Sequence, residues 1–221
     1  MTLAYEVSSQ TMKPSDFDAL NISPKSLELT FYLYDVDWDE LPMAFLKRTV
    51  QLGHLEQVTL RIVNRQQLPF QRSKVADVAK ALCRAIHANP NLMYLNLGVP
   101  RYHSPTDCID WSSQISKLVQ VMAVHQGLRT VVLEHYSPTT EDYSHLEQLL
   151  SCNRNITVLD RFGTKISNGT GIDKLYALNA FFTGSAGLWK ESTLIRTLLV
   201  GTTLVESASG NSIHCAAVVR P

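Results

Sequence analysis

The sequence carries no surplus of charge: lysine and arginine together number 20, and so do aspartate and glutamate, in 221 residues. Capture of a polyanion needs a basic excess, so nucleic acid and anionic membrane are not expected as partners. Long apolar runs are missing too. No stretch reaches the roughly 18 apolar residues of a membrane span. The opening MTLAYEVSSQTMK lacks the basic segment and apolar core of a secretory leader, and an intracellular, cytoplasmic location is the expectation. Cysteine is sparse: Cys83, Cys108, Cys152 and Cys215 are far apart and form no CxxC pair, so reduced thiols are expected rather than disulfides. In that setting the Asn-X-Ser/Thr triplets at Asn21, Asn155 and Asn168 carry no expectation of a glycan.

Catalytic spacing is equally scarce. The seven histidines include no HExxH and no close Cys/His set, and no serine sits in GxSxG. Cys83 and His87 are one helical turn apart, but a thiol beside an apolar stripe lacks the electropositive surroundings that activate it, and a structural pair is expected. Asp35, Asp37 and Asp39 have the alternation of a calcium loop. An EF-hand beginning at Asp35 needs Gly and Glu where Glu40 and Leu46 stand, so the acids are read as a loop ahead of a helix. KISNGTG lacks the lysine of a phosphate loop. No catalytic residue, metal or cofactor is therefore predicted, and the chain leans away from being an enzyme.

What the sequence does have is a repeating phrase. In Lys74–Leu97, Val75, Val78, Ala79, Leu82 and Ile86 form one helical stripe behind a candidate N-cap at Ser73; Asn89-Pro90 stops the helix, and Leu92, Leu95 and Leu97 follow with strand spacing. The pattern returns at Leu55-Val58-Leu60, Leu128-Val131-Leu133 and Ile156-Leu159. The alternation in LELTFYL begins the series. The anchors Leu55, Leu92, Leu128 and Ile156 lie 37, 36 and 28 residues apart, with turn-rich insertions at 66–72 and 100–107 in the longer intervals. Strands are predicted at 27–33, 56–62, 93–98, 129–134 and 156–160, mutually parallel because helices connect them. Leu82 and Leu95 are expected to meet in the core.

This helix-turn-LxxLxL unit resembles the leucine-rich repeat of the ribonuclease-inhibitor type, in a degenerate form, over residues 26–162. The resemblance implies an α/β solenoid with strands lining one concave face and helices on the other. The chain departs from the family where Pro100 and Tyr136 replace the asparagine that follows the last strand leucine. Residues 1–25, without periodicity, are read as an N-terminal arm or cap. After Phe162 the composition changes: Ile172, Leu175, Tyr176 and Phe182 mark a helix broken by Gly184 and Gly187, and Ser192 begins another, so 163–221 is expected to be a helical C-terminal cap. The segment 181–209 resembles C-terminal segments of uncharacterised filamentous-fungal proteins, with no chemistry attached.

On a solenoid, residues between the leucines project from the strand face. Among these, Tyr32, Arg61, Tyr94, Asn96, Glu134 and Asp160 are the candidate binding residues, with chemistry suited to a protein partner. Two function classes follow: a non-catalytic protein-interaction module, or an accessory protein or small enzyme of a fungal secondary-metabolite pathway.

Overall fold

Alternation makes the first long strand: in Ser26–Leu33 the residues Leu27, Leu29, Phe31 and Leu33 are buried, with Glu28 and Tyr32 on the other face. The computed structural model, which describes residues 2–66, 69–100, 103–134 and 143–188, places this strand second in a six-stranded parallel sheet. The strands are β1 (Thr2–Ser8), β2 (Ser26–Leu33), β3 (Gln57–Asn64), β4 (Tyr94–Asn96), β5 (Thr130–Val132) and β6 (Thr157–Leu159), and their spatial order is their chain order. Val58 faces Leu95 and Leu95 faces Val131 in parallel register, as the repeating phrase predicts. Every crossover therefore advances by one strand in the same direction.

The connecting helices are α1 (Glu40–Leu52), α2 (Arg72–Ala88), α3 (Ile115–Val124), α4 (Ser144–Cys152) and α5 (Gly171–Leu188). The first four pack each on the next. One core joins their apolar stripes to the inward strand residues, with Leu82 and Leu95 both buried in it. At its N-terminal end Phe17, Phe31 and Phe45 pack ring against ring, with centroids 5.8–6.2 Å apart. The chain divides into two compact units between Ala177 and Leu178, and the described part of the second is the end of α5.

Three local expectations need correction. β1 is a regular strand where no periodicity is visible, because it buries only Val7 and so shows no alternation. Helix α2 starts at Arg72 after Gln71, leaving Ser73 inside the helix. Helix α5 continues through Gly184 and Gly187 to Leu188, since a glycine weakens a helix by only about 1 kcal/mol and need not end it. The expected helix from Ser192 lies outside the described residues. Gly127 does not have positive φ; among the described residues the left-handed glycine that ends a helix is Gly53, at φ 63°.

Gly127 is required for another reason. A Cβ there would stand 2.4 Å from the Pro90 carbonyl oxygen and 3.1 Å from that of Leu92, both backbone atoms of the preceding repeat. Gly127→Ala is expected to lower stability by about 2 kcal/mol through forced separation of the two turns. Chemical denaturation would measure this, and an unchanged midpoint would refute the close approach.

Polar side chains tie these turns together. Asn89 Oδ1 accepts the Leu55 N–H (3.0 Å), and Asn89 Nδ2 donates to the carbonyls of Thr49 (3.1 Å) and Ala85 (2.8 Å). In the next turn His125 Nδ1 accepts the Leu128 N–H (3.1 Å), which leaves Nε2 to donate to the Asn89 carbonyl (3.0 Å). Asn153 Nδ2 then donates to the carbonyls of Met122 (3.1 Å) and His125 (3.0 Å). All three side chains are buried. Each stands three residues ahead of its anchor, Leu92, Leu128 or Ile156. The three side chains thus form a ladder that satisfies backbone groups of adjacent turns ahead of β4, β5 and β6.

Candidate functional site

β3 runs on to Asn64, past its last rung with β4 at Thr59–Asn96, because β4 ends early at the Asn96 turn, where Oδ1 accepts the Gly98 N–H (2.9 Å). The 103–110 segment covers part of the overhang: Val63 bridges Cys108, and the Ile109 N–H reaches the Ile62 carbonyl (3.1 Å). A groove of about 430 Å³ opens on the strand face between this overhang and the ends of β4–β6. Arg61, Tyr94, Asn96 and Asp160 line it together with Arg161 and Phe162.

Four of the six candidate residues are therefore gathered in one place. Glu134 reaches it through Arg161, whose Nη1 lies 3.2 Å from the carboxylate. Burial pushes the Glu134 carboxyl above the usual range, while the Arg161 guanidinium and the Val99 N–H (3.4 Å) oppose that shift. Tyr32 belongs to a separate cluster. Its ring carries the Arg65 guanidinium at 4.7 Å, lies 5.9 Å from the His103 ring, and its hydroxyl approaches Glu6 (3.4 Å). Burial first, and Glu6 second, raise its phenol pKa.

Arg61 is the most constrained of the groove residues. Its Nη1 is bonded to Glu28, and its Nε is buried without a hydrogen-bond partner among the described residues. Tyr94 and Asn96 touch through a 3.3 Å hydrogen bond from Nδ2 to the phenol oxygen. Asp160 Oδ1 accepts the N–H groups of Phe162 and Thr164 (2.8 Å each) and so shapes the turn beneath Phe162, over whose ring Arg161 stacks at 4.8 Å. Strand alternation places Phe162 on the face of Asp160, whereas Arg161, of the opposite parity, is the lining residue that it misses. Asp160, two before Phe162, is a turn-forming type that signals a bend presenting both side chains.

The other sequence candidates resolve into structural roles. Cys83 Sγ contacts the Lys117 carbonyl (3.8 Å), His87 is exposed, and burial raises the thiol pKa. Burial, then Asp107 and Glu134, push the Cys108 thiol up to about 11, which keeps it protonated and unreactive at neutral pH. In the acidic loop Lys74 Nζ lies 2.8 Å from both Asp37 and Asp39 and bonds the Val36 carbonyl (3.0 Å), so a protein cation sits among the carboxylates. In KISNGTG, Asn168 Oδ1 accepts the N–H groups of Thr170 and Ile172 (3.0 Å each) and starts α5. Among the described residues no helix is long and apolar enough to cross a membrane. No protein family, curated protein or solved structure matches the chain.

Proposed function

We propose that the chain is a short, degenerate leucine-rich-repeat solenoid of the ribonuclease-inhibitor type, closed by its C-terminal region, and that it works as a non-catalytic module binding a protein partner on the strand face. The observation that carries the reading is the groove beside the β3 overhang, where two arginines and two aromatic rings converge, the side-chain types that most often hold protein interfaces. Sequential parallel strands, stacked helices and the Asn89–His125–Asn153 ladder support a repeat architecture. Closure by the C-terminal region is supported by α5, whose Tyr176 hydroxyl accepts the Val158 N–H (3.1 Å) and donates to its carbonyl (3.2 Å) at the outer side of β6. The competing reading, an accessory protein or small enzyme of a fungal pathway, expects several convergent titratable groups. The groove's own carboxylate, Asp160, is committed to its turn, and Glu134 stands behind Arg161 outside the lining.

Tyr94 provides the test. It is half-buried, so its alanine variant must be read for binding and for folding together. Against a partner isolated from the native host, Tyr94→Ala is expected to weaken affinity by about fivefold or more, roughly 1 kcal/mol, with little change in melting temperature. The exposed helix variant Lys80→Ala should change neither. Undiminished binding by the Tyr32, Arg61 and Tyr94 triple alanine variant would remove the strand face as the site.

A further inference from the structure

The two ends of the sheet are built differently. At the β6 end both backbone groups of Val158 are occupied: the N–H by Tyr176, the carbonyl by Tyr176 and by the Ile166 N–H (3.0 Å). The chain also folds back there, with the Asp160 N–H bonded to the Thr164 carbonyl (2.9 Å) and Leu159 bridging Lys165. That edge is closed. At the β1 end, the seven residues Thr2–Ser8 pair with β2 and, among the described residues, with no other strand.

Bond direction identifies which groups are free. The Ser9 N–H donates to the Tyr32 carbonyl (3.1 Å), so the odd-numbered positions of β1 aim their backbone at β2, and Thr2, Ala4, Glu6 and Ser8 aim theirs away from the sheet. Of these outward groups the Ser8 carbonyl is taken by Thr11 and Met12 (3.1 and 3.0 Å). Thr2, Ala4 and Glu6 are exposed. The usual protections of an edge, such as proline, lysine or an inward charge, are missing from TLAYEVS.

We propose that β1 is a self-association edge and that its occupant is the β1 strand of a second copy, paired antiparallel about a twofold axis at Tyr5. A head-to-tail chain of copies would need the β6 edge, which is closed, so only the isologous pairing is left for this edge. The outward groups restrict the register, and the side chains choose within it. Bonds between even positions allow a twofold at Ala4, Tyr5 or Glu6; the axis at Tyr5 sets Ala4 opposite Glu6 with both bonds of a rung, Thr2 opposite Ser8 with one bond only, from the Ser8 N–H to the Thr2 carbonyl, because the Ser8 carbonyl is already taken, and Tyr5 opposite Tyr5 in a non-hydrogen-bonded rung. The sequence suits that register on both faces: Leu3 meets Val7, the two Glu6 side chains are offset rather than opposed, and the Tyr5 ring, 53% exposed, gains a cross-strand neighbour. A neutral chain adds no net repulsion between copies. One short edge buries less than a permanent interface needs, so the dimer is a weak one.

Sedimentation velocity on the full chain, from about 5 µM to about 500 µM, is expected to move from monomer to dimer. Ala4→Pro removes an outward N–H while leaving the bonds to β2 intact, and should weaken association at least about tenfold with the fold retained, because proline is tolerated on the free side of an edge strand. Tyr5→Cys should form, on mild oxidation, a disulfide joining position 5 of two copies, identified by peptide mass and so distinguished from linkage through the exposed Cys152. The cross-link decides the matter even if Ala4→Pro does not fold. A monomer throughout the range, a dimer unaffected by Ala4→Pro in a folded protein, or absence of the position-5 linkage would each overturn the proposal, and association with only a foreign peptide at β1 would replace its occupant.

Discussion

Asn89→Ala is expected to cost about 2–5 kcal/mol of folding stability, a large effect for the loss of a few atoms. The side chain is 2% exposed and holds one backbone donor and two backbone acceptors from three segments: the start of the β3 repeat, the end of α1 and the end of α2. The Thr49 carbonyl keeps a second partner in the Gly53 N–H (3.3 Å), so the cost centres on Leu55 and Ala85, each left desolvated at about 1–3 kcal/mol. Asn89→Asp should not rescue it. The acid retains Oδ1 for Leu55 but turns an oxygen toward two carbonyl oxygens. Urea unfolding measures both variants; midpoints equal to wild type would mean that water replaces the side chain and that the ladder contributes nothing.

Leu95→Ala is expected to cost a comparable 2–5 kcal/mol by a different route. Leu95 is fully buried on β4, between Val58 on one side and Val131 on the other, with Leu82 of α2 above the same packing gap. Truncation enlarges a void that rigid neighbours on two strands cannot close, so the cavity adds to the lost burial. Leu82→Ala opens the same region from the helix side. Because both side chains line one gap, the double variant should lose less than the sum of the single losses. Strict additivity would show that the two side chains do not share that space.

The parts legible in the sequence were those whose signal is local and repeated. The stripe Val75, Val78, Ala79, Leu82 and Ile86 marks a helix because an amphipathic face returns every three to four residues, and the anchors Leu92, Leu128 and Ile156 mark where each strand approaches. The Asn89, His125 and Asn153 ladder also has a fixed spacing to those anchors, but its three positions are not one residue type. A pattern defined by where a side chain donates is invisible when Asn and His perform it alternately. The candidate face was legible in part: strand alternation assigns Arg61, Tyr94 and Asn96 to one side, while Tyr32 shares that side yet belongs to a different cluster.

By itself the sequence determined the periodic elements and their inward faces, because burial of apolar side chains at helix or strand spacing is a property of neighbouring residues. Parallel order followed from the helices between the strands. Tertiary structure alone decided three things. It made a strand of Thr2–Ser8, which buries one side chain and is held by backbone bonds to β2. It demanded glycine at 127 through the Pro90 carbonyl, an atom distant in sequence. It shaped the groove, because strands of unequal length leave Arg61 on an overhang that only the stacking of β3 on β4 creates. Each depends on which backbone lies alongside which, and that distance between remote segments is not written in the spacing of residues along one chain.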